Sequence, residues 1–217
     1  MNVEQARFNM VEQQVRTWEV LDQKVLALIE RAPRHQFVPE SYRGLAYADI
    51  GIPLAHDQVM MAPRMEARIL QVLQLHSRDR VLEVGTGSGY LTHLLAALAG
   101  HVFSVEIHDD LLQQARERLQ AAGTFNVTLE CADGAAGRPQ DAPYDAIVLT
   151  GSVLHLPEAF AQQLCVGGRL FAVVGEAPAM VARLITRVAP DQCATEELFE
   201  TVLPPLGGIP QVQSFVF

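Results

Sequence analysis

The 217-residue sequence predicts an α/β fold: a mostly parallel sheet, a helical cover before it and an antiparallel hairpin after it. Three observations carry this. From about residue 75 onward, short apolar runs alternate with helical periods. The first of those runs leads into three alternate glycines, Gly85, Gly87 and Gly89. Before residue 75 the pattern is helical and irregular. Hydrophobic residues make up 49% of the chain and charged residues 19%, enough apolar surface for a sizeable core and too little charge for a disordered chain.

In chain order, residues 3–16 read as an amphipathic helix. A second helix follows, because Asp22 can cap it and Val25, Leu26, Leu28 and Ile29 gather on one side before Pro33 stops it. Over 37–63 the Pro, Gly and Tyr content rises and no period persists, which predicts an extended covering segment. Pro63 suits the first turn of a third helix, with Met65, Ile69, Val72 and Leu73 at helical spacing up to a turn at 76–79. Strands are predicted at 80–84, 101–106, 127–131, 145–150 and 169–174, each short and apolar enough to be buried. Helices at 89–98, 109–121 and 157–164 fill the gaps, in the manner of right-handed βαβ units. Strands at 182–188 and 196–203, around Ala189-Pro190-Asp191-Gln192, close an antiparallel pair. With no repeat or long linker, the chain divides into a cover at 1–76 and a ligand-binding domain at 77–217, together one compact unit.

Composition narrows the function classes. Sixteen Lys plus Arg against 25 Asp plus Glu give a formal charge of −9, with no concentrated basic face for a phosphate backbone, so nucleic acid is not expected as a partner. Cys131, Cys165 and Cys193 match neither a disulfide framework nor a metal spacing and are expected to stay reduced. Glu4, Arg7 and Glu12 interrupt any signal-like apolar stretch, and no membrane-spanning run is visible, so no membrane role and a cytoplasmic location are expected. The seven histidines show no ligand spacing, so no metal is expected; His56 keeps a functional claim only through its neighbours. Met60 and Met65 read as packing, and Asp49, Asp57 and Glu66 as surface acids.

The chemistry concentrates at Arg80-Val-Leu-Glu-Val-Gly-Thr-Gly-Ser-Gly-Tyr90, a buried strand that runs into a glycine turn and then a helix. The spacing is G-x-G-x-G rather than the G-x-G-x-x-G of a pyrophosphate-binding turn, and Glu83 lies two residues before the first glycine. That suits a ligand without phosphates whose cationic amino acid portion meets Glu83 while the loop closes on an adenosine. Glu106, at the next strand end, can accept both hydroxyls of a ribose, and Asp133-Gly134 after the following strand can read an adenine edge. Alone, a glycine turn is often only a tight connection and a strand-end acid only a helix cap. Three in register at the carboxyl ends of consecutive strands lie where open α/β sheets bind ligands.

Through Leu82-Glu-Val-Gly-Thr-Gly-Ser-Gly89, Ser104-Val-Glu106, Asp133-Gly134 and Tyr144-Asp-Ala-Ile-Val-Leu-Thr150, the sequence resembles the class I S-adenosylmethionine-dependent methyltransferases. More narrowly it resembles the protein-L-isoaspartate O-methyltransferase family. Phe37-Val-Pro39, Ala46-Tyr-Ala-Asp49, Ile52-Pro-Leu54, the 58–65 segment, Val174-Gly-Glu176 and, less closely, Leu203-Pro-Pro-Leu206 extend the resemblance over most of the chain. It implies a Rossmann-like methyltransferase fold, with 77–217 binding S-adenosyl-L-methionine and releasing S-adenosyl-L-homocysteine. Cofactor contacts would fall on Glu83, Gly85, Thr86, Gly87, Ser88, Gly89, Glu106, Ile107, Asp133 and Gly134. The acceptor would be a damaged protein or peptide carrying isoaspartate, or another small acceptor.

One departure bears on the acceptor side. Family members typically read G-Q-T-I-S-x-P before the first sheet-bound helix, and the serine is regarded as catalytic or substrate-positioning. This chain reads Asp57-Gln-Val-Met-Met-Ala-Pro63, so Val59 replaces the threonine and Met61 the serine. The resemblance thus puts Met61 and Val59 at the catalytic position without a hydroxyl, and leaves Thr150 and Ser152, after the fourth strand, as candidate replacements. The loss is expected to weaken acceptor holding, or to cost a few kcal/mol in the transition state, without abolishing cofactor binding. Alternatives are a different methyl acceptor, a non-catalytic cofactor-binding module, and a nicotinamide dehydrogenase, the last disfavoured by the glycine spacing.

Overall fold

The computed structural model describes residues 3–208. Its first helical stretch changes pitch along its length: α1 (Val3–Met10) passes into a π-helical turn at Val11–Val15 and a 3-10 turn at Arg16–Trp18. Thr17 Oγ1 donates to the carbonyls of Gln13 and Gln14, and Glu19 at φ 59° ends the run. Helix α2 (Gln23–Arg31) starts where Asp22 Oδ1 accepts the backbone N–H of Lys24 at 2.7 Å.

The 37–63 segment corrects the expectation of an extended cover. After a 3-10 turn at Arg34–Gln36 it coils again at Glu40–Leu45, then forms a small hairpin, β1 (Ile52–Pro53) with β2 (Val59–Met60). The physical reason is satisfaction of backbone groups beside a buried core: Tyr42 N–H bonds the Pro39 carbonyl at 2.9 Å, and buried Arg34 reaches the Ala46 carbonyl. Helix α3 (Pro63–Leu73) buries Met65, Glu66, Ile69, Leu70 and Leu73.

The sheet then builds as the apolar runs predict. Strands β3 (Arg80–Val84), β4 (His101–Glu106) and β5 (Val127–Cys131) alternate with α4 (Tyr90–Leu98) and α5 (Asp109–Ala121). Strands β6 (Tyr144–Val153) and β7 (Leu164–Glu176) are longer than predicted, and the helix between them, α6 (Glu158–Gln162), is shorter. The carboxyl end is the expected antiparallel hairpin, extended by pairing with the preceding strand into a three-stranded meander. Both β8 (Ala179–Ala189) and β9 (Gln192–Glu200) pair antiparallel, β8 with β7 and β9 with β8.

Strand order is β5-β4-β3-β6-β7-β8-β9, with β3 to β7 parallel. The connection from β3 proceeds outward through β4 and β5, and the chain then returns to place β6 on the other side of β3. That reversal makes the carboxyl end of β3 the switch point where such sheets receive ligands. Adjacent β3 residues feed opposite faces. Val81 joins a cluster with Met10, Ile29, Ile69 and Leu73 of the cover, whereas Leu82 joins Ile147, Leu149, Phe160 and Leu170. After β9 the chain crosses back over β6, where Ser152 N–H bonds the Pro204 carbonyl and Leu206 N–H the Ser152 carbonyl, both at 2.8 Å. Positions 1–2 of the expected cover and 209–217 of the expected domain lie outside the described residues. Among the described residues, no helix is long and apolar enough to cross a membrane.

Candidate active site

Beyond Val84 the chain must turn sharply beneath a ligand space. Gly85 does so at φ 98°, and a Cβ there would lie 2.1 Å from Thr150 Oγ1, so no side chain fits. Its N–H bonds the Val105 carbonyl at 2.8 Å, which ties the turn to β4. Gly85, Thr86, Gly87 and Ser88 line a cavity over the strand ends. Glu106, Ile107, His108, Ala132 and Gly134 wall one side of it. Thr150, Gly151, Pro204 and Leu206 wall a second, and Leu54, Val59, Met60, Met61 and Glu66 a third.

Glu83 sits at the base, fully buried. Its Oε2 accepts from Thr92 Oγ1 at 2.5 Å and Ser104 Oγ at 2.6 Å, while its Oε1 has no partner. Burial pushes this carboxyl up to about 8, against the pull of its two hydroxyl donors. Glu106 is oriented by backbone amides, Oε2 accepting from Gly87 at 2.8 Å and Oε1 from His108 at 3.1 Å. Each oxygen keeps a lone pair for a ligand hydroxyl. Buried Thr86 and Ser104 share a hydrogen bond of 2.6 Å, which stiffens the turn from behind.

Other candidates stand elsewhere. Gly89 is outside the cavity wall: it caps α4 at φ 83°, and a Cβ would meet Ala115 of α5 at 3.1 Å, so the third glycine serves helix packing. Asp133 is exposed and its Oδ1 accepts from Ala135 N–H at 2.9 Å, leaving Gly134 to line the cavity. Ser152 is buried with its hydroxyl donating to the Leu203 carbonyl at 3.0 Å, off the cavity wall. Thr150 lines the cavity, but its hydroxyl bridges the carbonyls of Val84 and Gly85 at 2.9 and 2.8 Å. His56 is exposed, stacks on His108 with ring centroids 4.0 Å apart and bonds Asp110 at 2.8 Å.

Glu66, expected as a surface acid, is 1% exposed. It pairs with Arg34, itself wholly buried, whose Nη2 donates to the Met61 carbonyl at 2.5 Å and whose guanidinium lies 4.8 Å from the Tyr90 ring centroid. Burial outweighs the cation and raises the Glu66 carboxyl to about 7. The signal was available: Glu66 stands three, four and seven residues before Ile69, Leu70 and Leu73, on the apolar stripe of α3.

A parallel sheet with a glycine turn at its switch point and acids on the adjoining strand ends defines a Rossmann-like methyltransferase fold. The family model described as Protein-L-isoaspartate(D-aspartate) O-methyltransferase matches residues 5–209, and the chain belongs to that family. A protein-L-isoaspartate O-methyltransferase of Methanoculleus marisnigri is 41% identical over 204 residues, covering 94% of this chain and 88% of that protein. One from Rhodopseudomonas palustris is also 41% identical over 204 residues, covering 93% and 83%. A solved protein-L-isoaspartate O-methyltransferase superposes with a TM-score of 0.81 at 26% identity, over 93% of this chain and 66% of that one.

Proposed function

We propose that this protein transfers a methyl group from S-adenosyl-L-methionine to a carboxylate of an isoaspartyl protein or peptide. One observation carries the reading: the partnerless buried Oε1 of Glu83 lies on the same cavity as the Val59–Met61 wall, where the family serine stands. A buried carboxylate oxygen without a donor suits a cationic ammonium, so the cradle fits the cofactor. Glu106 would take the ribose hydroxyls, and Ile107 and Gly134 would flank the base. When bound, the cofactor supplies a methyl activated by its sulfonium.

The chain's own residues then align and desolvate. An acceptor carboxyl with an ordinary pKa near ~4 is ionised at neutral pH, so no general base is required. Leu54, Met60 and Met61 form an apolar wall that excludes water, and a well-held pair gains effective molarity of up to about 10⁵ M or more. Thr150 and Ser152 have their hydroxyls engaged by carbonyls, which weakens the case for them as acceptor ligands. Three cysteines outside any disulfide and a charge of −9 support a cytoplasmic protein-modifying enzyme that binds no nucleic acid.

Transfer of labelled methyl to an isoaspartyl peptide tests the reading. The natural chain should turn over, and Met61→Ser should raise kcat/KM by about tenfold or more, the worth of one hydrogen bond to a charged group. No turnover by cofactor-bound natural chain would reject it. A second reading, another small acceptor, is favoured by the missing hydroxyls alone; methylation of small molecules from a cell extract, with none of the peptide, would select it. Gly85→Ala is expected to weaken cofactor binding about tenfold to a hundredfold in calorimetric titration, because positive φ and the Thr150 contact both oppose a Cβ.

A further inference from the structure

The acceptor side of the cavity poses a charge problem. With Glu83 and Glu106 given to the cofactor, Glu66 is the remaining carboxyl on the cavity, and among the described residues no Lys or Arg side chain lines it. Arg34, the nearest cation to Glu66, stands behind the wall rather than on it. An acceptor carboxylate entering beside Met61 meets the Glu66 carboxyl, and two carboxyl groups in contact are held together only when they share a proton.

Glu66 is placed to share one. Arg34 Nη1 pairs with Glu66 Oε2, Nη2 holds the Met61 carbonyl at 2.5 Å and Nε the Ala46 carbonyl at 2.8 Å. A single guanidinium therefore fixes the carboxyl beside the backbone of the position where the family serine stands. Among the described residues, Glu66 Oε1 has no hydrogen-bond partner, although Glu66 lines the cavity. The titratable and charged groups around it are Arg34 from the 3-10 turn, Tyr90 from α4 and Glu83 from β3, with Tyr47 behind Tyr90. Its raised carboxyl keeps the protonated form within reach at neutral pH.

We propose that Glu66 takes over from the missing hydroxyls: its Oε1 and one oxygen of the acceptor carboxylate share a proton, leaving the other acceptor oxygen to attack. This rests on the isoaspartyl reading. The attacking oxygen forms a bond to the methyl carbon as the carbon–sulfur bond breaks, with the electron pair staying on sulfur. The product ester is neutral, so the shared proton remains on Glu66. No base, metal or further reactant enters.

The experiment is calorimetry of an isoaspartyl peptide binding to protein loaded with S-adenosyl-L-homocysteine, at pH 8 in two buffers of different ionisation heat, beside steady-state kinetics from pH 6 to 9. The natural chain should take up about one proton per peptide bound, and KM should rise about tenfold per pH unit above about 7. In Glu66→Gln both effects should vanish while cofactor affinity holds, a pattern that loss of packing alone would not give. Peptide bound and methylated without proton uptake, or an unchanged KM profile in Glu66→Gln, overturns the proposal and leaves the isoaspartyl reading standing. A natural chain that binds cofactor but neither binds nor methylates the peptide overturns both. Should Glu66→Gln fail to bind cofactor, the pH at which the natural chain's KM begins to rise still decides: about 7 supports Glu66, and about 8, where Glu83 titrates, overturns the proposal.

Discussion

Arg34→Met is expected to lower the free energy of unfolding by about 3–5 kcal/mol at pH 8, the usual penalty for removing one member of a buried ion pair. The guanidinium is wholly buried and serves a carboxyl, two backbone carbonyls and the face of Tyr90 together. Its removal leaves Glu66 in an apolar wall without a cation, where at pH 8 it must take up a proton or stay charged and unpaired, and strips donors from the Ala46 and Met61 carbonyls. The sign with pH follows. Burial already lifts Glu66 to about 7, and without the cation it would rise further. At pH 5 the variant carries a neutral Glu66, so its deficit should shrink to the lost carbonyl and ring contacts. Urea denaturation at the two pH values, with m unchanged, measures this. Equal losses at pH 5 and pH 8 would show that Glu66 does not set the cost. Arg34→Met combined with Glu66→Leu should recover much of the stability, since apolar replacement of a buried pair is often neutral.

That pair also marks where a linear reading stops. Strands β3, β4 and β5 and helix α5 are legible to the residue because each is a local pattern: a short apolar run, or a 3.6-residue period, between turn residues. The 37–63 segment has no such period, since its conformation is decided by contacts distant in sequence, Arg34 with Ala46 and with Glu66. The β7 to β8 turn is likewise invisible, so the three strands of the meander are legible but the antiparallel pairing of β8 with β7 is not. At the site, spacing singles out the glycine turn and the acids Glu83 and Glu106, and they converge on one cavity. Gly89 looked equivalent to its neighbours, yet only packing against Ala115 distinguishes it. Thr150 and Ser152 read as available hydroxyls because sequence carries no sign of the carbonyls that engage them. Residue type alone misplaces Glu66 on the surface, although its position on the α3 stripe points inward.

Glu83→Gln should move stability and ligand affinity in opposite directions. Unfolded, Glu83 ionises near its ordinary 4.5, whereas folded it holds its proton to about 8. Between those values the folded state binds more protons than the unfolded one, so stability falls as pH rises. This contribution is complete below 4.5 and lost on passing 8; at about 1.4 kcal/mol per unit it amounts to a few kcal/mol. Glu66 adds slope of the same sign, but only up to about 7, so the decline between about 7 and about 8 belongs to Glu83. Glutamine keeps the shape and accepts from Thr92 and Ser104 without titrating, so the variant should match the natural chain at pH 5 and exceed it in melting temperature at pH 8.5. Cofactor binding should show the reverse. The natural chain gains affinity as pH rises toward 8, because the charged carboxylate is the form that meets an ammonium, and Glu83→Gln should lose about tenfold or more at pH 8.5 with a flat profile below it. A purely structural carboxyl would change melting alone, with affinity unmoved. Gain in stability coupled to loss of affinity in one variant identifies a group whose burial is unfavourable until its ligand arrives.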